Sequence, residues 1–439
     1  MSLVSLVLEC GRLWKNASKS PAQIQADSLA AFRKTLAWAW SNTRFYPAYW
    51  KEFGISQKDL KTIRPDEIPW ITKEDVREHF QDMTAIPVKK DQSGRWASRS
   101  GAIIVHSSGS TGQPAAFLYG KGAMTTVEAN FVRLCNLGGE NRVGFKDLPV
   151  QNIHAASVGK GYASTTLLGS GLSGYHGRSL LLKASDPLSK WVKTIGDNSP
   201  NFLSGYPSCL SLLLELQNSG QIHLRPLKII TGGEPLKEGL KRNLREAFGA
   251  DVIDCYGCTE SMLIGAGSSW YDGMYLFDDM NYCETDEQGH LIITPLYNRA
   301  FPLIRYKLDD LVKGFSKDHH GELPFTHIEG IIGRDADILW FVNREGLPDY
   351  LHPLVLDDIY APGLKNFQFV QIDDHSFRLD CICESRKAAV KEELQKQLDA
   401  ILKAKQMENL HYEICFPTKL RLNAQSGKVP LTIKENPTV

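Results

Sequence analysis

Apolar residues recur at helical spacing from the start of the chain. Leu3, Leu6, Val7 and Leu13 mark one face of a first helix, and Ile24, Leu29, Phe32, Leu36 and Trp40 mark another over residues 20–50. Ser20 followed by Pro21 supplies an N-cap and a first-turn proline, and Pro47 is expected to end the segment. ITKEDVREHF at 71–80 predicts a third helix, with Thr72 as cap and Glu74 and Asp75 in the first turn. From about residue 101 the pattern changes. Short apolar runs at 102–105, 180–182, 227–230 and 252–255 alternate with Gly-rich turns and helical stretches at 206–217 and 235–247. Strand, loop and helix in alternation predict an α/β domain with a mixed or parallel sheet. Frequent turns and short strands at 275–277 and 291–294 predict an antiparallel addition. Near the end, strands at 367–372 and 377–383 are joined by the polar turn Asp373-Asp374-His375-Ser376. An amphipathic helix follows through Val390, Leu394, Leu398, Ile401 and Leu402, then a strand at 411–416. This β-β-α-β pattern predicts a separate, small α+β domain.

Composition narrows the function classes. The 439 residues are 42% hydrophobic, 10% aromatic and 23% charged, ordinary fractions for a chain with a sizeable core. Lys+Arg and Asp+Glu both number 50, so the formal net charge is zero. Such a balance argues against a nucleic-acid binder and against an acidic disordered tail. Nine cysteines are too sparse, and odd in number, for a secreted disulfide framework. The opening MSLVSLVLECGRLW lacks the positive n-region and cleavage site of a signal peptide, and the uncharged stretch 161–177 is too polar for a membrane span. The expectation is a soluble, cytoplasmic protein with free thiols, no membrane segment and no nucleic-acid partner.

The strongest local signal is Ser107-Ser108-Gly109-Ser110-Thr111-Gly112, directly after the apolar run at 102–105. Small side chains let backbone N–H groups turn inward around an anion, and the hydroxyls add donors. Gly109 and Gly112 supply the unusual dihedrals that such a nest needs. No Gly-Lys-Ser/Thr follows, so this is not a Walker loop. Taken alone, the run equally suits an ordinary Ser/Gly turn.

It does not stand alone. With Gln113 and Pro114, the run resembles the phosphate loop of the adenylate-forming superfamily, which takes in acyl-CoA synthetases, peptide-synthetase adenylation domains and luciferases. Four further segments match in the family's order: Thr231-Gly232-Gly233-Glu234-Pro235-Leu236, Asp254-Cys255-Tyr256-Gly257-Cys258-Thr259-Glu260, the run 302–310 (PLIRYKLDD) and Gly333-Arg334-Asp335-Ala336-Asp337. NTRFYPAYWKEFGI at 42–55 and IPWITKEDVREHF at 68–80 are similar to the start of phenylacetate–CoA ligase-like members. The resemblance implies a large N-terminal domain over 1–337 that binds ATP and an acid, with mixed sheets and flanking helices. A small mobile α+β domain over 338–439 would complete the chain.

The implied reaction is attack of a carboxylate on the α-phosphate of ATP, then transfer of the acyl group to a thiol, coenzyme A first among candidates. In this reading Ser107, Ser108, Gly109, Ser110, Thr111 and Gly112 hold pyrophosphate, and Glu260 is the Mg²⁺ ligand. Gly232, Gly233, Glu234, Tyr256, Gly257 and Thr259 surround adenine. Asp310 takes the ribose hydroxyls, and Arg334 adds a cation near ribose or α-phosphate. Asp337 is the hinge, and Lys428, in Gln425-Ser426-Gly427-Lys428, reaches the carboxylate during adenylation. The chain departs from the family at Gln113, where lysine is common, at Asp309, where glycine is usual, and at Lys307 and Leu308. Trp340-Phe341-Val342-Asn343 stands in place of a Gly-rich turn. Cys255 and Cys258 form a C-x-x-C with Cys283 downstream, a pattern open to zinc or redox chemistry, but the Tyr-Gly-x-Thr-Glu match already accounts for the local sequence and no second well-spaced pair follows. His154 and the Gly-rich stretch 159–174 fall by position near the acyl pocket. Competing readings keep the adenylation but deliver the acyl group to a carrier-protein thiol or an amine, or keep nucleotide binding without turnover. The acid is expected to be aromatic.

Overall fold

The computed structural model describes residues 3–90, 96–98, 101–106, 115–138, 143, 147, 150–156, 177–183, 186, 188–198, 200–318, 321–334, 339–346, 348–351, 359–383, 386–422 and 429–435, with backbone alone at 177–178, 332–334 and 348–350. The N-terminal helices follow their capping signals. Pro21–Asn42 begins at Ser20, whose hydroxyl accepts from the Gln23 N–H while the Gln23 side chain reaches back. Thr72 and Asp75 build the same reciprocal cap on Lys73–Met83. Pro47 does not end a helix. The break comes at Thr43, and Pro47 sits in the first turn of a new helix, Phe45–Glu52, where a missing N–H costs nothing. In the first helix, Leu3–Ala17, Leu6 and Leu13 are buried as expected, but Leu3 and Val7 are exposed.

The chain divides into two units, Met1–Leu308 with Lys313–Gly330, and Asp309–Val312 with Ile331–Val439. The first is organised by an eight-stranded sheet in the order Thr326–Ile328, Tyr271–Leu276, Gly265–Ser268, Asp251–Tyr256, Lys228–Gly232, Phe202–Gly205, Val150–Ala156, Gly177–Lys183. The five strands from Asp251–Tyr256 to Gly177–Lys183 run parallel, and the other three add antiparallel. Helices Pro207–Asn218 and Glu238–Phe248 are the crossovers that parallel pairing requires. Alternate residues Ile153, Leu203, Ile229 and Val252 face these helices and bury against Leu210, Leu213, Leu244 and Phe248. The antiparallel hairpin Asn281–Thr285 with His290–Pro295 follows.

The second unit holds the expected β-β-α-β elements, Leu364–Asp373, Ser376–Cys383, Lys387–Ala404 and His411–Cys415. Two elements were not expected from the pattern. Thr432–Lys434 joins Leu364–Asp373 in parallel, and the hairpin Leu339–Val342 with Pro348–Leu351 lays Leu339, Phe341 and Leu351 on the same core. Among the described residues no helix is long and apolar enough to cross a membrane.

Candidate active site

The carboxyl ends of the parallel strands bring two of the motifs together. Lys228–Gly232 and Asp251–Tyr256 are hydrogen-bonded neighbours, with Gly232 opposite Cys255. Gly232-Gly233-Glu234 and Tyr256-Gly257-Cys258-Thr259-Glu260 therefore leave the sheet side by side, at the edge where open parallel sheets receive ligands.

Backbone geometry explains the glycines at this edge. Gly233 has φ +81°. A Cβ at Gly257 would stand 2.1 Å from the Met262 carbonyl oxygen, so only glycine fits. Tyr256 is buried, and Gly257 is exposed beside it. The turn beyond is tied from several sides. Cys258 N–H donates to the Ser261 carbonyl at 3.1 Å, and Ser261 N–H donates to Cys258 Sγ at 3.3 Å. The Tyr119 hydroxyl donates to the Thr259 carbonyl at 2.7 Å, and the Ser261 hydroxyl to Asn281 Oδ1 at 2.7 Å.

Glu260 is half-buried, and its Oε1 accepts the Tyr306 hydroxyl at 3.0 Å. Glu234 directs its carboxylate to the start of helix Pro207–Asn218, accepting Ser208 N–H at 2.9 Å and Ser208 Oγ–H at 3.0 Å. A carboxylate there complements the helix dipole. Burial pushes the Asp254 carboxyl up to about 6, although the Thr231 hydroxyl donates to it at 2.8 Å.

The remaining expected residues belong to the second unit or lie outside the described residues. Asp310 is half-buried in the Asp309–Val312 piece, with Asp309 exposed. Arg334 ends the strand Gly330–Arg334, and its backbone alone is described. Ser107–Gly112, Asp337 and Lys428 lie outside the described residues. The ends of the stretch that carries Lys428 are anchored, because buried Gln368 donates to the carbonyls of Arg421 at 3.1 Å and Pro430 at 2.8 Å. Cys258 Sγ is engaged inside its own turn, Cys283 is buried, and among the described residues no group of His, Cys, Asp and Glu side chains is arranged to hold a metal ion.

Two position-holding residues were given no role by the motifs, Tyr119 and Tyr306. Tyr306 stands inside the PLIRYKLDD run, so its place in the motif was available as a signal. Its hydrogen bond to Glu260, 46 residues earlier, was not.

The profile of the AMP-binding enzyme family matches residues 52–309, more than half of the chain. The chain belongs to this family. The resemblance drawn from the motifs is thereby borne out, and so is the α/β fold class. Members similar to this chain include the phenylacetate-coenzyme A ligase of Pseudomonas putida, 26% identical over 410 residues that cover 85% of this chain and 87% of that protein. The phenylacetate-coenzyme A ligase of Aromatoleum evansii is 27% identical over 378 residues, 81% and 79% of the two chains. Among solved structures, 2-hydroxyisobutyryl-CoA ligase in its postadenylation state, in complex with R3-HIB-AMP, superposes with a TM-score of 0.70 over 96% of this chain and 91% of that one, at 20% identity. That likeness speaks for the shared fold.

Proposed function

We propose that this AMP-binding enzyme activates a carboxylic acid with ATP and passes the acyl group to coenzyme A. In the first step a carboxylate oxygen bonds to the α-phosphorus, the bond to the β-phosphate bridge breaks, and pyrophosphate leaves. In the second the thiol gives up its proton to solvent, its sulfur attacks the acyl carbon and takes the acyl group, and AMP leaves with the electron pair of the broken acyl–oxygen bond. The observation that carries this reading is the side-by-side exit of the Gly232–Glu234 and Tyr256–Glu260 segments from adjacent parallel strands. It supports a nucleotide at that edge, with the backbone of Gly232 and Gly233, Tyr256 and Thr259 around adenine. Glu234, whose carboxylate is engaged on helix Pro207–Asn218, would contribute through its backbone.

The donor set suits the metal: Glu260 offers a hard carboxylate oxygen at an accessible turn, and one such ligand suffices for an ion held mostly by phosphate and water. Bound there, Mg²⁺ would neutralise phosphate charge. Asp310 would bind ribose, Arg334 would add positive charge beside it, and Ser107–Gly112 would cradle pyrophosphate. Lys428 would hold the carboxylate against the α-phosphate. We assign residues 1–337 to the ATP- and acid-binding domain and 338–439 to a small domain that pivots at Asp337 between the two steps. The phenylacetate ligases among its relatives support an aromatic acid, and we place the enzyme in the cytoplasm.

ATP–pyrophosphate exchange over aryl and fatty acids tests the first step. Exchange with an aryl acid is expected, lost about 100-fold or more in Lys428→Ala while ATP binding persists. Tight ATP binding with exchange for no acid would favour a binding protein instead. Products formed with coenzyme A, a carrier protein or an amine then identify the acceptor.

A further inference from the structure

Tyr306 joins the candidate metal ligand to a strained and heavily anchored piece of backbone. Arg305, its neighbour, has φ +48°, a left-handed conformation that a long side chain seldom adopts. Such a residue persists only where its surroundings over-determine it. Here they do. The Arg305 N–H donates to Thr294 Oγ1 at 2.8 Å. Its guanidinium pairs with Glu284 at 3.1 Å, donates to the Asp66 carbonyl at 3.2 Å, and also donates to the Ile68 carbonyl. On either side of Tyr306 the backbone is bonded to Ile71, by Ile71 N–H to Arg305 O at 3.0 Å and Lys307 N–H to Ile71 O at 2.9 Å. The Tyr306 ring is buried, edge-on to Phe117 at 6.1 Å. Nothing in this arrangement leaves the phenol free to swing, and its hydroxyl ends on Glu260 Oε1.

We propose that Tyr306 is a positioning residue for Glu260: its hydroxyl, fixed through Arg305, holds the glutamate carboxylate in the orientation that receives the divalent cation accompanying ATP. The inference rests on the metal role given to Glu260 above. A carboxylate on a flexible stem loses rotamer freedom when it binds a cation. A donor that holds one oxygen beforehand reduces that cost. The device acts on the metal-dependent part of nucleotide binding and on nothing else.

Tyr306→Phe keeps the ring and removes the one hydroxyl. In the full-length enzyme the half-saturating Mg²⁺ concentration for ATP–pyrophosphate exchange is expected to rise about tenfold, a change of about 1.4 kcal/mol, and added Mg²⁺ is expected to recover part of the lost rate. The second readout needs no turnover. In calorimetric titrations with ATP, the affinity without metal should match the parent, while the gain in affinity on adding Mg²⁺ should shrink by the same factor. Glu260→Gln should lose most of that gain, and Tyr306→Phe combined with Glu260→Gln should be no worse than Glu260→Gln alone, because both remove one coupled interaction.

An unchanged Mg²⁺ increment in folded Tyr306→Phe would overturn the proposal, as would additive losses in the double variant. A parent enzyme whose ATP affinity ignores Mg²⁺ would overturn it too. Mg²⁺-dependent ATP binding with the expected variant pattern, but exchange with no acid, would leave it standing and sink the acid-activation reading alone.

Discussion

The two ends of the same parallel strands are built on opposite lines. At the amino ends, polar groups are tied off by defined partners. Lys228 is fully buried and pairs with Asp251, whose second oxygen accepts Trp270 Nε1–H at 2.9 Å. Asn201 accepts the Gln151 N–H at 2.7 Å and donates to the Asp147 carbonyl at 3.0 Å. At the carboxyl ends the strands finish in Gly205, Gly232 and Tyr256-Gly257. The Asp254 carboxyl there has the Thr231 hydroxyl beside it and a raised pKa. His154 Nδ1 shares a 2.8 Å hydrogen bond with Ser204 Oγ, yet its Nε2 is shut from solvent with no partner among the described residues. Buried groups that are unpaired or poorly solvated cost stability, so His154 Nε2 and the Asp254 carboxyl set the carboxyl ends apart from the Lys228–Asp251 and Asn201 bonds that close the amino ends.

The largest expected effect comes from breaking the closed end. Lys228→Met removes the cation and leaves Asp251 buried beside Trp270. Losing one partner of a buried pair costs about 3–5 kcal/mol, read as a lower urea midpoint with an unchanged slope. Exchange per folded molecule should stay at the parental rate. If specific exchange falls while stability holds, the two ends do not divide their work in this way.

Gly257→Ala strikes the open end. The new methyl group meets the Met262 carbonyl oxygen, so the turn that presents Thr259 and Glu260 must move. Misplacement on that scale predicts about a 100-fold loss in exchange. The accompanying stability loss should be about 1–2 kcal/mol, smaller than that of Lys228→Met, because the turn lies at the rim and not within the core. A variant that exchanges at the parental rate would show that the turn does not contribute to the chemistry.

Local signals in the sequence were reliable where the physics is local. Ser20 and Thr72 cap the helices they precede because a cap needs only its own next three residues. The alternation of short apolar runs with helices pointed to the parallel sheet, since Leu182, Ile229 and Val252 each sit in such a run, whereas the strands carrying Ile153 and Leu203 lay in no run read from the sequence and Ile103–His106 pairs antiparallel outside that sheet. Pro47 misled because proline breaks a helix interior but suits a first turn, and which applies depends on the break at Thr43. Leu3 and Val7 share a helical face with Leu6 and Leu13, yet a face wider than its neighbour leaves part of itself exposed. Nothing local could give the Thr432–Lys434 strand, which exists by pairing with Leu364–Asp373, or the bond from Tyr306 to Glu260. The motifs located the glycines and Glu260, whereas the groups that hold them came from distant parts of the chain.

The smallest expected effect separates the ends by pH. Burial raises the Asp254 carboxyl to about 6, above its unfolded value near 3.9. The folded state therefore keeps a proton that the unfolded chain releases first. Stability from this group is fully present below about pH 4 and is lost as pH rises through about 6. Asp254→Asn keeps an acceptor for Thr231 and removes the titration. The variant should match the parent near pH 4 and exceed it by about 1–2 kcal/mol at pH 8, allowing for partial solvent access. His154 acts in the other direction, because burial lowers its pKa to about 4. Its contribution is lost as pH falls from about 6.5 through about 4, so His154→Gln should flatten the acid side of the profile and leave the alkaline side alone. An Asp254→Asn stability difference that does not change between pH 4 and pH 8 would mean that burial does not hold a proton on this carboxyl, and the contrast between the two ends would then rest on His154 alone.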